Sequence, residues 1–342
     1  MTVILFVYLQ TKSIHNMTTQ EILEFLNEGL VLTSKYVLST TKRTHYIYLV
    51  SSLILAFYVY LNSKKKNKTF FQYIFAKKVW WSRSAFVDYA FIFFNSFIKI
   101  LLIGPFVIYG LLLAYYTNDY LEHWLGFSSL TMSSTETIVY YTIVLSLFSD
   151  FITFLVHYAF HKVRFLWEFH KIHHSATTMN PFTQYRLHPV ELILNNLKSI
   201  LVFGLITGLF DYLSNHQLNK WTYLGVNAFS LLFYTWGANL RHSHVKLRFF
   251  NFLEYIFISP LQHQVHHSDN PKHFNKNMGS RLAIWDWMFG TLVSSKQTDK
   301  IFFGLGKIDN KNYTSFLKNL CMPFLNIYTL FKNSTKRETS QK

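Results

Sequence analysis

Cysteine is nearly absent: Cys321 stands alone among 342 residues, which excludes an internal disulfide framework and any thiolate metal cage. Charge is scarce too. Only 15% of residues are charged, against roughly 25% in ordinary soluble domains. Acidic residues are the scarcer kind, seventeen against thirty-three Lys and Arg, for a formal net charge of +16. No glycines fall as G-x-G-x-x-G or as a P-loop, so no nucleotide fingerprint is present. There is no internal repeat, no low-complexity tract and no basic repeat or recognition fold for DNA or RNA. The excess positive charge therefore reads as membrane topology and contact with anionic lipid, with no nucleic acid as partner. What is abundant is apolar: 50% hydrophobic residues, 19% aromatics, and sixteen histidines besides. Disorder, collagen and small secreted scaffolds are excluded. The expectation is an all-α, polytopic membrane helical bundle with a cytoplasmic, histidine-rich metal-binding cap.

A helix needs about twenty mostly apolar residues to cross the hydrocarbon core. Candidate spans are Tyr46–Leu61, Ala85–Tyr116, Thr137–Val156, Leu192–Phe210 and Trp221–Leu240. The first is short. The second is overlong, interrupted at Gly104 and Pro105, and carries Asp88 and Lys99, so it reads either as one broken, tilted helix or as two half-spans. Met1–Leu9 is apolar but too short to span, and lacks the cationic start and cleavage site of a signal peptide. Lys64, Lys65, Lys66, Lys68, Lys77, Lys78 and Arg83 lie between Asn62 and Ser84 with no acidic residue. The stretch from Thr117 to Glu136 instead holds Asp119, Glu122 and Glu136 with no Lys or Arg. The positive-inside rule puts the first of these loops in the cytoplasm and the second outside. The segment 157–188 and everything after Arg241 then become cytoplasmic.

Three regions are expected: 1–84, with a peripheral helix containing Ile22, Leu23, Leu26 and Leu30, a first span and a basic loop; 85–293, the bundle and the histidine-rich part; and 294–342, a polar tail. Within that tail, Tyr313–Phe331 reads as a surface-lying appendage broken at Pro323.

Eleven of the sixteen histidines lie between His157 and His267. His157 and His161 are spaced i,i+4; His170, His173 and His174 are spaced i,i+3,i+4; His263, His266 and His267 repeat that pattern. Each spacing puts imidazoles on one helical face. His242 and His244 follow the last span, and His188 sits before Pro189. The loop charges, assigned without reference to histidine, leave all of these on one side of the membrane. Imidazole suits zinc, iron, copper and nickel, and eight to ten ligands fit two ions better than one. His15, His45, His123, His216 and His273 are spread singly and read as capped or solvated residues.

These clusters resemble those of the fatty acid hydroxylase and sterol desaturase superfamily of integral membrane di-iron oxygenases. The resemblance runs from about Thr137 to Leu292. It rests on Asp150 to His161, Leu166 to Ser175, Tyr185 to Glu191, Ser259 to Ser268, Asn277 to Gly279, and Trp285 to Thr291. The pattern is most similar to bacterial sterol-desaturase-like members and alkylglycerol monooxygenases. One departure stands out. Where some members carry H-x-x-x-H as a third cluster, Ala238 precedes His242 by four and His244 is additional.

The resemblance implies two iron ions, dioxygen, a lipid substrate, and hydroxylation, desaturation or ether-lipid cleavage as the outcome. It implies as metal ligands His157, His161, His170, His173, His174, His242, His244, His263, His266 and His267. Asp150, His188 and Arg186 would stand behind them, Asp150 orienting His157 or His161. Arg186 and Glu191 could instead form an interfacial ion pair, while Trp285 and Asp286 read as structural. Zinc lacks redox chemistry and would be a substitute in purified protein. Electrons are expected from a separate ferredoxin or cytochrome b5-like donor with its reductase, docking on Lys162, Arg164, Lys171 and Arg248. A metal transporter or store is the non-catalytic alternative.

Overall fold

The computed structural model of the chain describes residues 18–63, 67–130, 132–215, 218, 228, 230–297 and 301–339. The expectations for Met1–Leu9, His15, His216 and Lys64 to Lys66 lie outside these. The described residues form helices and 3-10 turns, with no strand and only two isolated bridges, Phe257 to Leu282 and Ser268 to Phe303.

Helix α1, Thr19–Leu38, opens on a capping box in which Thr18 and Glu21 satisfy each other's backbone N–H groups. Helix α2, Tyr46–Leu61, has the bounds expected of the first candidate span. The long second stretch resolves into two helices, α3 (Arg83–Leu102) and α4 (Val107–Leu125), joined by a 3-10 turn at Gly104–Phe106. Pro105 has no N–H to give the helical ladder, which accounts for the break. Helix α4 runs on through Asp119 and Glu122, so the acidic loop is shorter than its charge pattern suggested. The helix ends at Gly126, whose φ of +74° is a conformation that favours glycine. Helix α5, Ser134–Lys162, carries His157 and His161 in its last turns. Helix α6, Arg164–His174, follows at once, and α7, Pro189–Leu213, starts on a proline. Helices α3, α5 and α7 are long and apolar enough to cross a membrane. The protein is a membrane protein.

Only the end of the fifth candidate span is described. Helix is present at 230–235, then Gly237 (φ +84°) turns the chain into a 3-10 segment, Ala238–His242. The helix therefore stops before Leu240. Short helices α8 (Pro260–His266) and α9 (Ile284–Met288) precede α10, Phe316–Thr339, which runs unbroken through Pro323.

Two compact units are interleaved along the sequence. The first comprises Met1–Tyr48, Phe93–Leu155 and Leu192–Trp236; the second comprises Leu49–Ile92, Val156–Glu191 and Gly237–Lys342. In the first unit Tyr141, Leu145, Val202, Ile206 and Phe210 form the core, and Tyr141 and Thr207 share a hydrogen bond of 2.9 Å. Lys99 is accommodated by donating to the Tyr36 hydroxyl at 2.6 Å. The second unit has two apolar clusters, one around Ala56, Ile74, Leu240, Val245 and Leu247, the other around Val87, Phe91, Ile172 and Tyr313. Every histidine expected as a ligand lies in the second unit.

Candidate metal centre

Helix α6 and helix α8 each present a histidine triplet, and both triplets divide in the same way. His170 and His174 join His157, His161 and His266 in a group of five; His263 and His267 join His173 and His242 in a group of four. The i,i+4 pair stays together each time, and the residue at i+3 crosses to the other group. At about 100° per residue, i+4 lies about 40° to one side of i and i+3 about 60° to the other. A single helix can therefore feed two sites.

Within each group one nitrogen per ring lies within 4.8 Å of all the others. Nε2 of His157 is 3.0 Å from Nε2 of His170. In the other group Nε2 of His242 is 3.1 Å from those of His173 and His263, and the His267 and His263 Nε2 atoms are 3.3 Å apart. Ligands about 2.0–2.1 Å from an ion stand about 3.0–3.4 Å from one another, so the spacing fits. The groups adjoin, His174 stacking on His267 with ring centroids 4.4 Å apart.

Electrostatics agrees. Burial pushes the His173 imidazole down to about pKa 3, with repulsion from His157 adding to it. Burial first, and neighbouring imidazoles and cations second, hold His170, His174, His263, His266 and His267 well below the ordinary value of 6.5. The rings are neutral, with lone pairs facing lone pairs. Nε2 of His161, His174 and His266 is buried without a hydrogen-bond partner among the described residues. Such orphaned atoms are costly unless a cation satisfies them. An all-imidazole set suits a transition metal and disfavours magnesium or calcium.

The outer ring nitrogens are held. His157 Nδ1 donates to the Met278 carbonyl at 2.7 Å, His266 Nδ1 to the Lys276 carbonyl at 2.9 Å, and His170 Nδ1 to the Glu191 carboxylate at 2.9 Å. For His157 the acceptor is thus a backbone carbonyl rather than Asp150, which is buried two turns earlier on α5. Glu191 serves His170 and forms no ion pair with Arg186. Arg186 instead lies 3.4 Å from Asp88 and donates to the Ser84 hydroxyl at 3.0 Å. Asp88 also accepts from Thr183 at 2.6 Å and Asn180 at 3.3 Å, pinning the loop after α6 to α3.

Two of the expected residues face elsewhere. His244 donates from Nε2 to the Tyr73 carbonyl at 2.8 Å and belongs to neither group. His188 donates to the Leu320 carbonyl and accepts from the Val190 N–H, both at 3.2 Å, and packs on Phe169 and Phe324. Burial lowers its pKa to about 4.

His242 is delivered by Gln264 of α8, whose side-chain amide donates to the Leu240 and Val245 carbonyls at 2.9 and 2.8 Å. Lys171 is no free docking cation, since it pairs with Glu168 at 2.7 Å. Lys162, Arg164 and Arg248 are exposed. A cavity of about 310 Å³ opens onto His161, His174 and His266, beside Trp167, Lys171 and Asp309.

Residues 142–291 match the family model described as fatty acid hydroxylase. An alkylglycerol monooxygenase of Caenorhabditis elegans is 28% identical over 165 residues, 48% of this chain and 29% of the relative. Ornithine lipid hydroxylase OlsE of Rhizobium tropici is 29% identical over 178 residues, 52% of this chain and 48% of its own length. The alkylglycerol monooxygenase of Homo sapiens is 28% identical over 156 residues, 46% of this chain and 31% of the relative. The chain spans less than half the length of each. No solved structure matches.

Proposed function

We propose that this chain, whose residues 142–291 match the fatty acid hydroxylase family model, is a member of that family and a membrane-bound, dioxygen-dependent oxidoreductase that hydroxylates or desaturates a C–H bond of a lipid. The observation carrying this reading is the pair of adjoining groups of five and four imidazoles, seven of the nine buried and His157 and His161 half-buried. His157, His161, His170, His174 and His266 would hold one iron ion, and His173, His242, His263 and His267 the other. Bound there, the pair would supply the oxidising power that an unactivated C–H bond needs and that side chains lack.

The remaining work falls to the chain itself. Met278, Lys276 and Glu191 fix the tautomers of His157, His266 and His170, leaving Nε2 of each as the ligand atom. Burial keeps the rings unprotonated. Helices α3, α5 and α7 keep the protein in the bilayer, where alkyl chains are found. We assign the histidine clusters to the cytoplasmic side, on the strength of the acid-free basic stretch 62–84. Electrons would come from a separate ferredoxin or cytochrome b5-like donor with its reductase, for which Lys162, Arg164 and Arg248 offer exposed positive charge.

Ether-lipid cleavage is the second reading, favoured by the alkylglycerol monooxygenase relatives. Hydroxylating the carbon next to an ether oxygen gives a hemiacetal, which breaks into an alcohol and an aldehyde. The test is iron per chain in protein purified with and without air, together with lipid analysis of cells gaining or losing the gene. A lipid gaining one oxygen marks hydroxylation, one losing two hydrogens marks desaturation, and a fatty aldehyde marks ether cleavage. No change in any lipid class would overturn the enzyme reading in favour of metal transport or storage.

A further inference from the structure

We propose that the loop 275–279, clamped by Asp286, is a positioning device for one ion of the pair, the one held by the five-histidine group. The inference rests on the two-metal reading above. The loop supplies two carbonyls two residues apart, Lys276 to His266 and Met278 to His157, and both recipients belong to the group of five. These histidines come from separate helices, α5 and α8, so the loop fixes the orientation of one ring relative to another across 109 residues of chain, from His157 to His266.

The backbone here is unusual, and it is held. Asn275 and Asn277 adopt φ of +57° and +52°, a region that asparagine enters more readily than most residues. The Asn277 amide donates to the Gln262 and Val293 carbonyls at 3.1 and 3.0 Å, and its oxygen accepts from the Val293 N–H at 2.7 Å. The Asp286 carboxylate then accepts from the Met278 N–H at 2.8 Å, the Gly279 N–H at 2.6 Å and the Thr291 hydroxyl at 2.5 Å. A Cβ at Gly279 would stand 2.5 Å from the Leu282 carbonyl and 2.8 Å from the Asp286 carboxylate, so only glycine brings the backbone close enough to be gripped. Asp286 thus holds the peptide whose carbonyl orients His157. Nδ1 of His263, in the other group, has no hydrogen-bond partner among the described residues.

The two ions should therefore respond differently to the same substitution. Asp286→Asn in the full-length, metal-loaded protein exchanges one acceptor oxygen for an amide NH2 donor facing a backbone N–H. Losing the direct outer partner of a ligand weakens metal affinity about 10–100-fold, and loosening the peptide that carries such a partner should cost part of that. Metal content after dialysis against a chelator should fall from two ions per chain to one, with an unchanged size-exclusion profile in detergent. Adding Asp286→Asn to His266→Ala should remove nothing further, whereas adding it to His263→Ala should empty both groups. Thr291→Val, which removes only the hydroxyl from the clamp, should show the same selectivity more weakly, and it carries the test should Asp286→Asn fail to fold. Loss of both ions in equal proportion, or retention of both at the wild-type rate, would overturn the proposal. Wild-type protein that never holds two ions would instead sink the metal reading beneath it.

Discussion

The two compact units hold themselves together by opposite means. In the first, helices meet through apolar side chains and close approaches at small residues. A Cβ at Gly204 would press on Leu113, and one at Gly208 would run into the Ala114 carbonyl oxygen. Helices in lipid gain little from hydrophobic burial against one another, so they depend on packing of this kind. The second unit adds an extensive buried polar network to its two apolar clusters. Asp88, Arg186, Glu254, Asp286, Glu191 and nine histidines are buried or nearly so, the five charged groups each tied to a named partner and the histidines turned toward one another. Glu254, for example, accepts from Ser259 at 2.8 Å and from the Ser295 hydroxyl at 2.5 Å. Such networks stabilise when complete and are costly when one member is lost. The first unit should therefore tolerate damage in proportion to lost volume, and the second should fail at single atoms.

The largest effect falls on the ligands. His173→Ala or His266→Ala should abolish turnover while leaving membrane insertion intact, and each should cost the ion of its own group; turnover retained in either variant would remove that residue from the ligand set. Arg186→Ala comes next. It strands the Asp88 carboxylate in the interior, a loss of about 3–5 kcal/mol, readable as a fall in thermal stability in detergent that Arg186→Lys partly restores.

Acid should separate the units as well. A buried histidine with a depressed pKa costs the fold nothing above pH 6.5, where the unfolded chain is also neutral. Below that the unfolded chain takes up protons and the folded one does not. For His173, whose folded pKa is about 3, this destabilises by about 1.4 kcal/mol per pH unit below 6.5, and the other suppressed histidines add to it. Chelator-treated protein should therefore melt at a much lower temperature at pH 5.5 than at pH 7.5, and metal-loaded protein should resist the shift.

Smaller effects sharpen the contrast. Gly208→Ala overpacks the first unit and should cost about 1–3 kcal/mol, with the metal content unchanged at whatever the wild type holds. His244→Ala removes one hydrogen bond, worth about 0.5–1.5 kcal/mol, and should also leave the metal content untouched. Loss of an ion there would restore His244 to the ligand set.

Much of the candidate centre is legible in the spacing of histidines, because helical periodicity converts i, i+3 and i+4 into one stripe. The same periodicity leaves the division into five and four hidden. His173 and His174 are neighbours in sequence yet belong to different groups, as do His266 and His267. Which side of the stripe meets which partner depends on helices brought together from distant segments. His244 looks like its neighbour His242 in sequence, but the 3-10 turn ends between them and sends its ring to Tyr73. Asn277, Gly279 and Asp286 stand out as motif residues, while their work is done through backbone carbonyls, which carry no residue signature. The Pro323 break is absent for a related reason. Helix α10 is anchored on both sides of the proline, Asn319 accepting from Ser175 at 2.9 Å and Asn326 donating to Glu168 at 2.6 Å.

Composition and periodicity alone determined that this chain is helical, enters a membrane and gathers imidazoles, because hydropathy and helical pitch are local properties of a polypeptide. The tertiary structure decided which imidazoles share a site, which carbonyls aim them and which charged groups neutralise one another. Those choices depend on contacts between segments a hundred residues apart, and a contact of that range is fixed only when the whole chain has packed.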